Sequence, residues 1–331
     1  MRGLAHFDRD GWHWRFGAMA SHCEIVVGHP EAEARAAVDA AVAEVRRIEA
    51  KYSRYQADSI VSRINAAAGT GVATAIDPET AGLLAFADQL HRQSGGLFDL
   101  TSGVLRRAWD FRAARVPGEE ELAAIRPLIG WTRVAWNDHQ VTLPEPGMEL
   151  DFGGIGKEYA ADRAQAVLLQ HGLQRGFVNL GGDIRVLGPR PDGRPWRFGI
   201  QHPRHPEATC ASVELREGAL ATSGDYERFF ITPEGRRCCH ILDPRTGQPV
   251  AHWQAISVVA PVCAAAGALA TIAMLLGEQA LPFLQRQGVA FMAIDARGRQ
   301  PTRGPHRDHD FEPRPQSVKP GCVEHLRHQA R

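Results

Sequence analysis

Between Glu31 and Tyr52 apolar residues return at helical spacing (Ala37, Val38, Ala41, Val45, Ile48), which predicts a long helix with one buried stripe. A second helix is expected over Asp58 to Ala67, capped by Asp58 or Ser59. A third runs from Asp77, ahead of Pro78, to Gln93 and closes at Gly95 and Gly96. Trp12 to Val27 reads as two strands joined by a short turn. Leu97 to Phe111 reads as a loop and then a short helix. Trp131 to Trp136 and Val141 to Leu143 pair as strands around Asn137-Asp138. The run Met148, Leu150, Phe152 reads as a strand that ends at Phe152. Helical spacing then resumes from Tyr159 to Leu169, with Gly172 at the expected C-terminal cap.

The second half is richer in strands. Phe177 to Leu180, Ile184 to Leu187, Trp196 to Gln201, Ala211 to Leu215 and Ala219 to Thr222 are short and separated by turn residues. Arg228 to Thr232 and Arg236 to Leu242 flank Pro233-Glu-Gly235 as a hairpin. Ala255 to Ala260 leads into a helix from Val262 to Leu276, then a helix over Gln279 to Gln287 and a last strand, Val289 to Asp295. Hairpins rather than strand–helix–strand units dominate, so the expected class is α+β, with mixed, largely antiparallel sheets flanked by helices. From Gly298 onward Pro, Arg, His and Asp prevail, which predicts one domain over 1–297 and a disordered tail over 298–331.

Composition narrows the function. The chain has 331 residues and is 44% apolar, so a substantial core is available. Basic and acidic residues number 38 each, so no net field favours nucleic acid or an anionic membrane. The six cysteines (Cys23, Cys210, Cys238, Cys239, Cys263, Cys322) lack metal-ligand spacing, which argues for a reducing compartment. The first residues contain no apolar stretch of signal-peptide length. The weakly polar run from Val258 to Leu276 reads as a buried strand entering a buried helix. A soluble, cytoplasmic protein without membrane insertion is expected.

The chemistry concentrates at Asp151-Phe-Gly-Gly-Ile-Gly-Lys-Glu-Tyr-Ala-Ala-Asp162. Three glycines before a helix let backbone approach a ligand, and the first helical turn offers unpaired N–H groups to an anion. Lys157 adds a mobile positive charge. The combination suits a phosphate or pyrophosphate. It is not a P-loop, because Asp151 and Glu158 stand where that pattern needs Gly and Ser or Thr, and it lacks the third glycine of the dinucleotide fingerprint. Taken alone, a tight turn with a solvated lysine is an equal reading.

Three more segments set glycine beside charged or hydroxyl groups: Val178-Asn-Leu-Gly-Gly-Asp183, Ala221-Thr-Ser-Gly-Asp-Tyr-Glu-Arg228 and His240-Ile-Leu-Asp-Pro-Arg-Thr-Gly247. In this order and spacing, with Ala268-Leu-Ala-Thr271 closing the series, the chain resembles the ApbE family of FAD:protein FMN transferases. The resemblance covers roughly Trp14 to Asp295, with upstream support from Met19, Ser53 to Ser59 and Gly95-Gly-Leu-Phe-Asp99. It implies an ApbE-like, T-fold-like core. It also implies magnesium-dependent transfer of the FMN moiety of FAD to a Thr or Ser hydroxyl of an acceptor flavoprotein, with release of AMP. By motif match, His240 is the base. The same match implies that Tyr55 lies against the flavin and that Met19, Leu97, Phe98, Asp99, Asp151, Lys157 and Ile241 contact FAD. The Gly154 carbonyl and the Thr271 hydroxyl match magnesium-ligand positions.

One departure stands out. Four residues before that threonine the family carries a metal-binding aspartate, and here the residue is Gly267. Magnesium usually takes one or two carboxylates. Asp183 and Asp225 are substitutes by nearness in the motif map. Two alternatives follow: an FAD-binding homologue with little or no transfer, and an FAD pyrophosphatase giving FMN and AMP.

Overall fold

The computed structural model describes residues 4–8, 10–303 and 311–313. Three antiparallel strands come first, β1 (Leu4–Asp8), β2 (Gly11–Ala18) and β3 (Ser21–Val27). The long helix is α1 (Glu31–Tyr52), and it buries the predicted stripe of Ala37, Val38, Ala41, Val45 and Ile48. In α2 (Ile60–Ala66) the cap is Ser59, whose hydroxyl accepts the Ser62 N–H. A small sheet holds β4 (Thr74–Ala75), β5 (Ala135–Trp136) and β6 (Gln140–Thr142). Between β4 and β5 in sequence lie α3 (Pro78–Gln93), a 3-10 segment at Leu100–Arg107, and α4 (Glu119–Ile125), which the apolar spacing did not announce.

The expected strand ending at Phe152 is absent. Met148, Leu150 and Phe152 are buried, but a side chain replaces the neighbouring strand. The Asn65 amide accepts the Leu150 N–H at 2.7 Å and donates to the Leu150 carbonyl at 3.0 Å. The Asp151 N–H goes to the Leu100 carbonyl. The backbone is thus satisfied without a ladder.

The remaining elements are α5 (Gly156–Gln170), β7 (Gly176–Leu180), β8 (Asp183–Gly188), β9 (Trp196–His202), β10 (His205–Leu215) and β11 (Ala219–Gly224). The hairpin of β12 (Phe229–Ile231) and β13 (Arg237–Cys239) follows, its second strand shorter than the sequence suggests, so His240 lies just past a strand end. Last come β14 (Trp253–Ala260), α6 (Cys263–Leu276), α7 (Ala280–Gln287), β15 (Ala290–Asp295), β16 (Thr302–Arg303) and β17 (Glu312–Pro313).

The main sheet has the antiparallel order β1-β2-β3-β7-β8-β11-β14-β15-β16, and β17-β10-β9 form a second sheet. Alternation along each strand sends neighbours to opposite faces. Ile25, Val27, Val178, Leu180, Ile256 and Val258 join the core shared with α1, α5 and α6. Val26, Phe177, Val259, Met292 and Ile294 pack instead with Trp196, Phe198, Ile200 and Val213 of the second sheet. The class is α+β. Cys263–Gln287 is long and apolar enough to cross a bilayer by length and composition, but 61% of its apolar window is buried, and α6 packs as a core helix.

The stretch expected to be a tail is not wholly detached. Thr302–Arg303 pairs with β15, Glu312–Pro313 pairs with β10, and the Phe311 side chain is buried in the second core. An aromatic anchor offsets the ordering cost that polar neighbours could not. The rest of that expectation concerns 304–310 and 314–331, which lie outside the described residues.

Candidate active site

The β7–β8 turn and the start of α5 meet at Lys157. Leu180 pairs with Asp183 across Gly181 and Gly182, both at positive φ, and Asn179 Oδ1 accepts the Gly182 N–H at 2.9 Å. Lys157 Nζ lies 2.8 Å from Asp183 Oδ2 and 3.4 Å from the Gly181 carbonyl oxygen. Burial opposes the lysine's charge, but Asp183 and Glu158 outweigh it and hold the ammonium above the ordinary lysine range. A Cβ at Gly181 would lie 2.7 Å from the Ser21 hydroxyl, and the Gly181 N–H donates to the His22 carbonyl. Close approach therefore docks this turn against the β2–β3 turn.

Met19 sits in that second turn. Ala18 pairs with Ser21, so Met19 and Ala20 form a two-residue loop with φ of 54° and 53°. Positive φ at both positions is the type I′ hairpin geometry, and residues other than Gly, Asn or Asp adopt it at a cost. The Met19 N–H donates to Glu49 Oε1 at 2.6 Å, which holds the strained turn in place.

Asp151 and Tyr55 are joined through Arg54. The Asp151 carboxylate pairs with the Arg54 guanidinium and accepts the Gly153 N–H at 2.9 Å. Gly103 packs beneath it, where a Cβ would lie 2.5 Å from Asp151 Cβ. Arg54 also covers the Tyr55 ring at 4.9 Å and donates to its hydroxyl at 2.8 Å. Tyr55 is 77% exposed, an aromatic surface held out by its neighbour. The Phe98 ring approaches Gly154, where a Cβ would lie 3.2 Å from Phe98 Cε2.

Three of the expected FAD-contact positions lie in packed or hydrogen-bonded surroundings. Leu97 and Ile241 are buried core residues. The Asp99 carboxylate accepts the Thr101 N–H at 2.7 Å, the Thr101 hydroxyl at 2.5 Å and the Trp131 N–H at 3.0 Å. It thereby clamps the loop that presents Phe98.

His240 follows β13, its backbone N–H bonded to the Arg228 carbonyl at 2.9 Å. Its residue surface is open to solvent, yet loss of solvation first, and the Arg228 charge next, push the imidazole down to about 4. Lys157 also acts on His240, and Arg228 acts on Tyr55, so these four side chains share one electrostatic neighbourhood.

On α6, Thr271 Oγ1 is 2.9 Å from Ser223 Oγ of β11. One turn earlier is Gly267, where a Cβ would lie 2.5 Å from Glu158 Cγ and 2.7 Å from Glu158 Oε1. The two substitutes named from the sequence are both engaged. Asp183 pairs with Lys157, and both Asp225 oxygens are held by Arg204 at 2.7 Å.

The model of the ApbE family matches residues 19–293 of this chain. The chain belongs to the ApbE family. It is 31% identical over 262 residues to the FAD:protein FMN transferase of Haemophilus influenzae, covering 76% of this chain and 75% of that one. To the FAD:protein FMN transferase of Treponema pallidum it is 32% identical over 306 residues, 83% of each chain. The crystal structure of the ApbE protein of Thermotoga maritima aligns with a TM-score of 0.82 at 29% identity, covering 90% of this chain and 97% of that one.

Within this ApbE chain, sequence reasoning missed Glu158, Arg54, Arg228 and Ser223. A signal for Glu158 existed. Residues 161, 164, 165 and 168 form the buried stripe of α5, and position 158 lies on it, one turn back from 161 and two from 165. An acid in a first helical turn reads as a favourable surface charge, which hides it.

Proposed function

We propose that this chain transfers the FMN moiety of FAD to a Thr or Ser hydroxyl of an acceptor flavoprotein and releases AMP. The observation that carries this reading is the charged Lys157, held at the open end of α5 by Asp183 and Gly181, within electrostatic reach of a neutral His240. In the proposed step the acceptor oxygen bonds to the FMN-side phosphorus. The bridging P–O bond breaks, AMP leaves with its electron pair, and the hydroxyl proton passes to the His240 imidazole. Lys157 and the N–H groups at the start of α5 bind the negative pyrophosphate. That anion would raise the His240 pKa from its low resting value, making it a better base when substrate is present.

The residues also suit a hard divalent cation. The Gly154 carbonyl and the Thr271 hydroxyl offer oxygen donors, and Glu158 Oε2 is buried without a hydrogen-bond partner. Magnesium held there would supply neutralisation of pyrophosphate charge. Solvent access to His240 supports a second reading, in which water replaces the acceptor hydroxyl and gives FMN and AMP.

The test combines purified protein, FAD, magnesium and an acceptor bearing a transferable Thr. Labelled acceptor on a fluorescence gel together with AMP supports transfer. AMP with free FMN supports hydrolysis. FAD binding with neither product across a wide magnesium range overturns both and leaves an FAD-binding homologue.

A further inference from the structure

Gly267 lies in the middle of α6 without the positive φ that would demand glycine. Glycine there weakens the helix relative to alanine, so its presence calls for another cause. The cause is space. The Glu158 side chain of α5 occupies the volume over Gly267, with Cγ and Oε1 both inside the reach of any added Cβ.

The two helices are locked in this register. Asp162, one turn after Glu158, accepts the N–H groups of Cys263 at 2.8 Å and Ala264 at 2.9 Å, one turn before Gly267. The helices therefore run in opposite directions across this contact: 162 meets the start of α6 and 158 meets 267. Thr271 is the next residue along that face of α6. Glu158 is 7% exposed, and its Oε2 has no hydrogen-bond partner. Asp183 is 3% exposed, its Oδ2 lies 2.8 Å from Lys157 Nζ, and Glu158 reaches the same carboxylate. Two buried carboxylates in reach of each other beside one ammonium need either a shared proton or a cation between them.

From this geometry we infer that Glu158 supplies the metal-binding carboxylate missing at position 267, delivering it from α5 instead of α6. The cation site is rebuilt by an exchange of two positions: a glycine where the family's aspartate is expected, and a glutamate grown into the vacated space. The inference rests on the proposed magnesium-dependent reading of the same site. It replaces Asp183 and Asp225 as the source of the charge.

The test titrates the full-length protein with Mn2+ in place of magnesium, with and without FAD, and counts free Mn2+ by electron paramagnetic resonance. Glu158→Gln keeps shape and removes charge, and it should weaken Mn2+ binding by about tenfold or more. Gly267→Asp alone should not strengthen binding, because Glu158 blocks the new side chain, and it should melt lower. The exchange Glu158→Gly with Gly267→Asp should restore Mn2+ affinity to within about threefold of the parent chain. Unchanged affinity in Glu158→Gln overturns the assignment, as does a double variant no better than Glu158→Gln, or a parent chain that binds no Mn2+ even with FAD. If Glu158→Gln fails to fold, the double variant decides. Failure of the transferase reading shows separately, as a parent chain that binds Mn2+ yet produces no AMP.

Discussion

Glu158 and Gly267 share one volume: the side chain of the first fills the place of a side chain on the second, with a built Cβ only 2.5 Å from Glu158 Cγ. Gly267→Ala should therefore destabilise the protein by about 1–3 kcal/mol through overpacking. In a Glu158→Ala background the sign should reverse, with a gain of about 0.5–1 kcal/mol from helix propensity. Urea unfolding of the four proteins measures both values. Equal effects in the two backgrounds would show that the residues do not compete for space.

Loss of solvation and the Arg228 charge push the His240 imidazole down to about 4. An unfolded chain takes up this proton near pH 6.5, so between about 6.5 and 4 the unfolded state binds more protons and stability falls as pH drops. The same shift keeps the base deprotonated. On FAD, kcat/KM should stay flat down to about pH 6, whereas an unshifted imidazole would halve it near 6.5. A bend at 6.5 in the pH profile, lost in His240→Gln together with activity, would show that the resting shift is absent.

Lys157→Met should lower transfer by about a hundredfold or more, since it removes a charge directed at the pyrophosphate. FAD affinity, read by flavin fluorescence, should drop as well. A variant that still binds FAD normally would move the phosphate contact elsewhere. Asp183 loses its ion-pair partner in this variant, so the thermal midpoint should fall too.

Asn65→Ala removes the amide that pairs with both backbone groups of the buried Leu150. The expected cost is about 2–4 kcal/mol, because two buried polar groups are left without partners. Denaturant unfolding checks it. A loss below 1 kcal/mol would mean that water replaces the amide.

Much of this is legible in the amino-acid sequence. The stripe of α1, a cap at Asp58 or Ser59 and a helix start at Asp77 are local features, set by side-chain period and backbone donors; the structure chooses Ser59 and makes Asp77 the cap of α3. The segment from Met148 to Phe152 was misread because three apolar residues at period two describe burial, not pairing. The partner proved to be an amide from Asn65, 85 residues away. Phe311 was overlooked for a similar reason: one aromatic in a polar stretch has no local pattern.

The site divides along the same line. Asp151 to Asp162 carried its chemistry in the open, because glycines, a lysine and a helix start lie together in the chain. Its relation to His240 and Arg228 arises only when the β12–β13 hairpin folds toward α5, so their mutual electrostatics could not be read from spacing. Gly267 is the sharpest case. In the sequence it is a missing aspartate. In the fold, α5 crosses α6 with Asp162 fixing the register, and the gap is occupied by a carboxylate that lies 109 positions earlier in the numbering. Local chemistry follows from neighbours in sequence, but the sharing of volume and charge between two helices depends on packing, and only the tertiary structure decides it.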